Sequence, residues 1–322
     1  KLGRLDLNWG NEVAVSQNMD DQKPYSFDGA VFGYDAESFI FNAGALRVGD
    51  WDRGLGPAST IDPDESAYFV TLDFKSFGKV LETAEFFLLR LQSADFIDTA
   101  NSINIEGYSL NRLGFSFAGS KGRFFYQADY VNLLGSYNAG ESAKAWMGHF
   151  NLGVNFGEQN PGSVYFVGHY DTGDDAGSAE TDEGYRPVYY NHHKYAGLMD
   201  LLAWGNLTYY GLGLTFVRKG NTELKAQALR FTLTDNSTGP NSISYLGYGD
   251  SSSFISEDVS KNSNGELSSD LGTELDLALK RNFLSGAYLE LILGVFIPDE
   301  YFEAYGRNEK VYSFRLSTGF SF

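Results

Sequence analysis

Charged side chains recur at alternate positions of apolar segments, and their spacing is the chain's clearest chemical signal. Glu274 and Asp276, for example, alternate with Leu275 and Leu277. Because residues i and i+2 of a strand share a face, the carboxylates lie on one face and the leucines on the other. Opposed acidic and basic rows on such a face could form a constriction that selects solutes by charge. They could also pair across neighbouring strands as structural ladders.

The same parity argument assigns further charged residues to the polar face. These candidate selectivity residues are Arg4, Arg90, Arg112, Arg123, Lys225, Arg230, Arg315, Asp129, Glu274, Asp276 and Glu290. Lys225 and Arg230 differ in parity, so placing both on one face requires a β-bulge in their strand. A cation facing the bilayer midplane would cost about 2–4 kcal/mol, so these side chains should point inward or lie near the membrane interfaces.

An acidic stretch at residues 171–184 is the candidate for cation binding. Asp174, Asp175, Asp182 and Glu183 could hold Ca²⁺ or Mg²⁺, whose preferred ligands are carboxylate oxygens, and so bridge loops to each other or to lipopolysaccharide. The stretch lacks EF-hand spacing, and a solvated acidic loop is the alternative interpretation.

The histidines give little support to catalysis or to a histidine metal site. His149 and Asn151 share a face of one strand, but no distinctive serine motif lies nearby. Adjacent residues of a strand diverge, which disfavours His192 and His193 as a metal pair. The sequence therefore predicts neither an enzyme nor a cofactor.

Composition excludes several classes of partner and fold. The 322 residues include no Cys, which excludes a disulfide scaffold, a thiolate zinc site and a cysteine nucleophile. The formal charge of −18 argues against nucleic acid as a partner, because phosphates require Lys and Arg. The first residue is Lys, and the start resembles no signal peptide, so an exported protein would already have lost that segment.

A two-residue hydrophobic period runs through the whole chain and predicts fourteen strands, the first over residues 1–8. Tight turns, as at 35–37, 119–121 and 219–220, alternate with long links, notably 49–65, 171–204 and 235–268. This alternation is typical of transmembrane barrels with short periplasmic turns and long extracellular loops. We therefore predict an all-β fold: a single transmembrane antiparallel up-and-down β-barrel domain of fourteen strands over residues 1–322.

A water-soluble β-sandwich also alternates apolar and polar residues. Strands of about ten residues favour the membrane barrel, because tilted strands of that length cross a bilayer whereas ordinary strands average about five or six residues. The charges along one continuous face also suit a water-filled interior better than a soluble core.

Three segments resemble the alginate-export family of Gram-negative outer-membrane proteins. Residues 271–302 look like that family's last two strands and loop, with Pro298-Asp299-Glu300-Tyr301-Phe302 in place of its "F-P-G-D-Y-F" motif. Residues 192–217 are similar to its "H-K-Y-G-MD-W-N" passage, and residues 43–56 resemble its "GDqR-iG" segment. The final Phe322 resembles the terminal signal for outer-membrane assembly. The resemblance implies an outer-membrane channel barrel.

These observations predict a porin-like channel in the outer membrane of a Gram-negative bacterium. It would carry small hydrophilic solutes or ions, including an oligosaccharide or polyuronate, and would contact outer-membrane lipid and lipopolysaccharide. The alternative is a closed barrel that serves as an accessory or scaffold in an envelope complex and binds a protein partner through its loops.

Overall fold

A computed structural model gives the fold over most of the chain. The structure describes residues 1–16, 27–48, 65–75, 78, 80–93, 96–98, 103–105, 107–137, 140–157, 161–175, 180–187, 190–218, 221–236, 268–283, 286–304 and 307–320. Nearly all of the predicted loops 49–65 and 235–268 lie outside these residues.

The described chain is built almost entirely of β-strands. The first nine are β1 (Leu2–Leu5), β2 (Phe27–Asp35), β3 (Phe39–Val48), β4 (Glu65–Lys75), β5 (Thr83–Ser93), β6 (Phe96–Asp98), β7 (Ile103–Ile105), β8 (Tyr108–Lys121) and β9 (Phe124–Tyr137). The remaining eight are β10 (Ser142–Phe156), β11 (Gly162–Asp171), β12 (Thr181–Asp182), β13 (Leu207–Arg218), β14 (Thr222–Leu233), β15 (Asp270–Asn282), β16 (Ala287–Pro298) and β17 (Val311–Phe320). Two one-turn helices are α1 (His192–Tyr195) and α2 (Glu300–Glu303).

Fourteen of the seventeen described strands form one up-and-down sheet. Along it the order is β1-β2-β3-β4-β5-β8-β9-β10-β11-β13-β14-β15-β16-β17, so fourteen strands follow one another as the sequence predicts. The two-residue strand β12 pairs in parallel with β10 beside this path, and β6 and β7 form a separate hairpin. The predicted all-β antiparallel fold is confirmed.

The first strand is shorter than the predicted span of residues 1–8. Beyond Leu5 the chain leaves the sheet, and an isolated bridge joins Trp9 to Val15. The Trp9 ring lies 4.0 Å from the ring of Phe69, and both side chains are buried in one apolar cluster. Burial of these apolar side chains stabilises the path that the chain takes after it leaves the sheet. We call residues 6–16 the N-terminal inward segment, because they pack against the face of the sheet that is named the inward face below.

The two faces of the sheet differ as the two-residue period predicts. One face, which we call outward, exposes many large apolar side chains, among them those of Leu113, Phe124, Tyr210, Leu212, Tyr312, Phe314 and Leu316. The other face, which we call inward, buries both apolar and charged side chains. An apolar surface of this extent is what a bilayer requires of a spanning sheet.

The described chain divides into two compact units. Unit 1 comprises Lys1–Ala118, Asp129–Gly148 and Thr172–Asn191. Unit 2 comprises Gly119–Ala128, His149–Asp171 and His192–Phe322. No helix within the described residues is long and apolar enough to cross a membrane.

We call the sheet with its outward and inward faces the wall. The outward face of β17 provides a test of the difference between these two faces. Leu316 is 58% exposed on the outward face, opposite Leu291, while its neighbour Ser317 lies on the inward face opposite Glu290. Leu316→Arg would place a cation in hydrocarbon at a cost of about 2–4 kcal/mol. We expect it to reduce the yield of folded protein, measured as the heat-modifiable band in outer-membrane extracts. The matched variant Ser317→Arg should assemble normally, and equal yields from both variants would contradict the assignment of the faces.

Candidate functional site

Seven of the eleven candidate selectivity residues lie on the inward face. They are Arg112, Asp129, Lys225, Glu274, Asp276, Glu290 and Arg315. Arg112, Asp129, Glu274 and Asp276 are buried, so they contact other parts of the protein instead of only lining a water-filled space. Their role in selectivity stays a prediction.

The other four candidates lie elsewhere, and their assignment to the inward face was wrong. Arg4 and Arg90 are exposed on the outward face, where Arg4 forms a salt bridge of 3.0 Å with Asp28. Arg123 is exposed in the tight turn between β8 and β9. Parity alone misassigned these residues because it does not say which face of a strand is outward: Leu89 and Leu91, on either side of Arg90, are buried in the apolar cluster of the inward face.

Arg230 is the fourth of these residues. It differs in parity from Lys225 because the two side chains lie on opposite faces of β14. Arg230 lies opposite Tyr210, on the outward face, and the register of β14 shifts only after Phe231. Its guanidinium bonds Asp270 at 2.9 Å and Asp299 at 2.6 Å. The hydrogen bond from Arg230 to Asp299 lowers the pKa of Asp299, which caps α2. The bulge needed to bring both cations to one face is therefore absent between Lys225 and Arg230.

The candidate functional site centres on the link between β11 and β13. We call residues 190–206 the second inward segment, because most of its side chains are buried although it belongs to a long loop. The buried members include Tyr195, Ala196, Leu198, Met199, Leu201, Leu202, Trp204 and Asn206. Apolar side chains this dense in a loop must find a surface to pack against, and in unit 2 the inward face supplies it.

Two wall carboxylates hold the backbone of the second inward segment. The amide of Met199 donates to Glu274 at 3.1 Å, and the amide of Leu198 donates to Asp276 at 3.2 Å. Gln227 on β14 donates to the same Asp276 oxygen at 2.8 Å. Glu274 and Asp276 therefore act as acceptors for the backbone of a loop, a role distinct from both alternatives that the sequence suggested.

Glycine is required where the segment approaches these carboxylates. Gly197 has a φ of 98°, in the left-handed region, and a Cβ at this position would collide with the Glu274 carboxylate. A Cβ on Gly294 of β16 would likewise collide with the Met199 side chain. The wall and the segment thus fit each other closely enough to exclude a single carbon atom.

An ion pair and an aromatic cluster complete the attachment of this segment. Asp200 lies 3.7 Å from the Arg315 guanidinium on β17. Trp204 stacks on His169 with ring centroids 4.3 Å apart, and the Tyr209 hydroxyl donates to the Tyr195 carbonyl at 2.6 Å.

Asp171, at the end of β11, fixes the exit of the segment. Its carboxylate accepts hydrogen bonds from the amides of Gly205 at 2.8 Å and Leu207 at 2.6 Å, and from His169 at 2.9 Å. Because a carboxylate that accepts several bonds is strongly held in place, Asp171 determines where the chain leaves the segment and enters β13.

In unit 1 the earlier part of the same link is held by a second set of polar contacts. Arg112 on β8 donates to the Arg186 carbonyl, and the Arg186 guanidinium pairs with Asp182 at 2.7 Å. Asp182 also accepts from the Gly184 amide at 2.8 Å, and Asp174 accepts from the Glu183 amide at 3.2 Å. Partial burial raises the pKa of Asp174.

These contacts change the interpretation of the acidic stretch. Asp174 and Asp182 use their oxygens to hold backbone amides within the loop, so they are structural acceptors. Among the described residues no three His, Cys, Asp or Glu side chains come together as a metal site. Binding of Ca²⁺ or Mg²⁺ by Asp174, Asp175, Asp182 and Glu183 stays a prediction.

From the sequence, links 171–204 and 235–268 are long enough to fold over or into the mouth of a barrel, but sequence reasoning did not identify the residues of either inward segment. The available signal was the run of Leu201, Leu202 and Trp204 inside a link that is otherwise acidic and polar, because side chains of this kind are seldom left in water. In the N-terminal segment the corresponding signal was Trp9 and Val15, beyond the predicted first strand.

The attachment of the second inward segment can be tested with one introduced thiol, because the chain has no Cys. In Met199→Cys the new thiol should be buried and react slowly with a water-soluble maleimide. Adding Gly197→Ala should speed labelling about tenfold, because a left-handed residue with a Cβ costs about 1–2 kcal/mol and also collides with Glu274.

Gly122→Ala is the matched control for this test. Gly122 also has a left-handed φ, of 66°, but its Cβ would meet open space in the β8–β9 turn. Labelling of Met199→Cys should be unchanged in that background. Rapid labelling without Gly197→Ala would contradict the docked arrangement.

Comparison with known proteins assigns the fold. No family model matches the chain, and no curated protein matches its sequence. Among solved structures, the crystal structure of Pseudomonas aeruginosa OccK5 (OpdH) is similar with a TM-score of 0.56 and 13% identity, over 98% of this chain and 76% of that one. OccK5 is an outer-membrane porin β-barrel, whereas the resemblance to the alginate-export family is not confirmed. The chain has the fold of a porin-like, antiparallel up-and-down transmembrane β-barrel.

Proposed function

We propose that the protein is a narrow outer-membrane channel for passive movement of small hydrophilic solutes or ions, with the second inward segment as its constriction. The observation that carries this proposal is the attachment of that segment to the inward face through Glu274, Asp276 and Arg315. A loop attached in this way reduces the open cross-section of the channel, while the strands of the wall keep their arrangement.

The strand number supports a small channel. Barrels of eight strands fill their interior with side chains, whereas barrels of sixteen to eighteen strands leave an aqueous channel. Fourteen strands lie between these limits. Buried segments therefore have room to enter the interior of such a barrel and narrow it.

The charges of the inward face favour mild cation selectivity. Glu290 faces inward on β16, opposite Lys280 on β15 and Ser317 on β17. With a formal charge of −18, the protein as a whole attracts cations within a Debye length of about 8–10 Å of its surface.

Planar-bilayer recording tests the channel and its selectivity together. We expect discrete conductance steps, and a reversal potential under a KCl gradient that shows mild cation preference at low salt and less at high salt. Glu290→Gln should reduce this preference without changing the attachment of the segment. Asp28→Asn, which removes one acid from the outward face, should leave the preference unchanged.

Two other outcomes would redirect the proposal. Strong anion selectivity would favour passage of an anionic oligosaccharide or polyuronate, as the resemblance to the alginate-export family implies. Absence of conductance from assembled protein would contradict the channel and favour the scaffold. The observation on the side of the scaffold is that both inward segments bury apolar side chains on the inward face.

A further inference from the structure

Three neighbouring strands of unit 1 share a sharp boundary on their outward face. We call residues that lie directly opposite one another on β4, β5 and β8 a rung. One rung consists of Val70, Leu88 and Leu113, each more than 40% exposed. Exposed aliphatic side chains at the same level of three strands indicate contact with hydrocarbon.

The next rung toward the long links is amphipathic. It consists of Tyr68, Arg90 and Asn111. Tyrosine is enriched where hydrocarbon meets the headgroup region, because its ring is apolar and its hydroxyl polar. Arginine at this level can extend its guanidinium away from hydrocarbon into the headgroups.

The rung beyond it is wholly polar and consists of Ser66, Gln92 and Ser109. Three rungs thus pass from aliphatic to amphipathic to polar over about 14 Å, since each rung advances the strands by two residues. The boundary lies at the end of these strands that adjoins links 49–64 and 94–107. Because long links are extracellular in barrels of this class, this boundary faces the outer leaflet.

Among the residues that the structure describes, Arg90 has no carboxylate partner on this surface. Within the described part of the chain its guanidinium donates to Ser109 at 3.1 Å and, with the Gln92 amide suitably oriented, to the Gln92 side-chain oxygen at 2.8 Å. These two partners are neutral, so they orient the guanidinium without balancing its charge. The outward cations Arg4 and Arg230 differ, since each of them pairs with aspartate.

We propose that Arg90, with Tyr68, Asn111 and Ser109, forms a binding site on the barrel's outward face for a phosphate group of lipid A, the lipid anchor of lipopolysaccharide. A guanidinium bonds phosphate through two parallel donors, and the neighbouring amide and hydroxyls can supply further bonds. The acyl chains would lie on the aliphatic rung directly beside the site. This inference rests on the membrane-spanning fold and is independent of channel activity.

Native mass spectrometry of the detergent-purified protein with added diphosphorylated lipid A tests the site. Arg90→Gln should weaken binding about tenfold, the loss expected for a hydrogen bond to a charged group. Arg90→Lys should bind with intermediate affinity, because it retains the charge without the paired donors. Unchanged affinity in Arg90→Gln would overturn the proposal.

Arg123→Gln is the matched control, since Arg123 is an exposed arginine in the tight turn at the other end of β8. It should bind lipid A as the unaltered protein does, and an equal loss in both variants would show a general effect of charge and overturn the site. Heat-modifiable mobility would verify that all variants are folded.

The remaining comparisons in this experiment vary the ligand instead of the protein. Lipid A without its phosphates should bind about tenfold more weakly and should not distinguish Arg90→Gln from the unaltered protein. Equal affinity of the two lipids would overturn the assignment to phosphate. Displacement of lipid A by millimolar inorganic phosphate would show that the site takes free phosphate, and would overturn the assignment to a lipid.

Discussion

The constraint on which the structure depends is that backbone amides and carbonyls cannot be left without hydrogen bonds in hydrocarbon. A spanning sheet must therefore pair every strand with its neighbours. The register satisfies this along long stretches, as where β13 pairs with β14 from Leu207–Leu233 to Arg218–Thr222 without interruption. Because the paired backbone fixes a two-residue period, each position on these strands is committed to one of two faces.

The same constraint explains why the inward segments differ from the wall. Residues 190–206 leave the sheet, so their amides need other acceptors once they are buried. Glu274 and Asp276 accept from Met199 and Leu198, and Asp171 accepts from Gly205 and Leu207. Buried carboxylates on the inward face therefore do for the loop what neighbouring strands do for the wall.

The part of the fold that follows from a repeating pattern could be predicted from the sequence. The alternation around Leu275 and Leu277 gave strand β15 and both of its faces, and the same rule gave the fourteen-strand order. The rule fails near strand ends, where Arg90 and Arg230 face outward because polar groups are tolerated beyond the hydrocarbon. Parity groups the residues that share a face, but it does not say which face is outward or how deep a residue lies.

The inward segments could not be predicted in this way, because their contacts are long-range and specific. The Leu198–Asp276 bond joins residues 78 positions apart, and nothing in the local sequence around either residue indicates the other. Only the apolar composition of residues 198–204 showed that this part of the link needed a surface to pack against.

The central claim is that the second inward segment narrows a channel through the barrel. It is tested most directly by replacing residues 196–203 with a short glycine linker, which leaves the Asp171 contacts and all wall strands in place. The single-channel conductance of that variant in 1 M KCl would then be compared with that of the unaltered protein. We expect a conductance several-fold larger in the assembled variant. An unchanged conductance would contradict the segment's role as the constriction, and no conductance from either protein would contradict the channel itself.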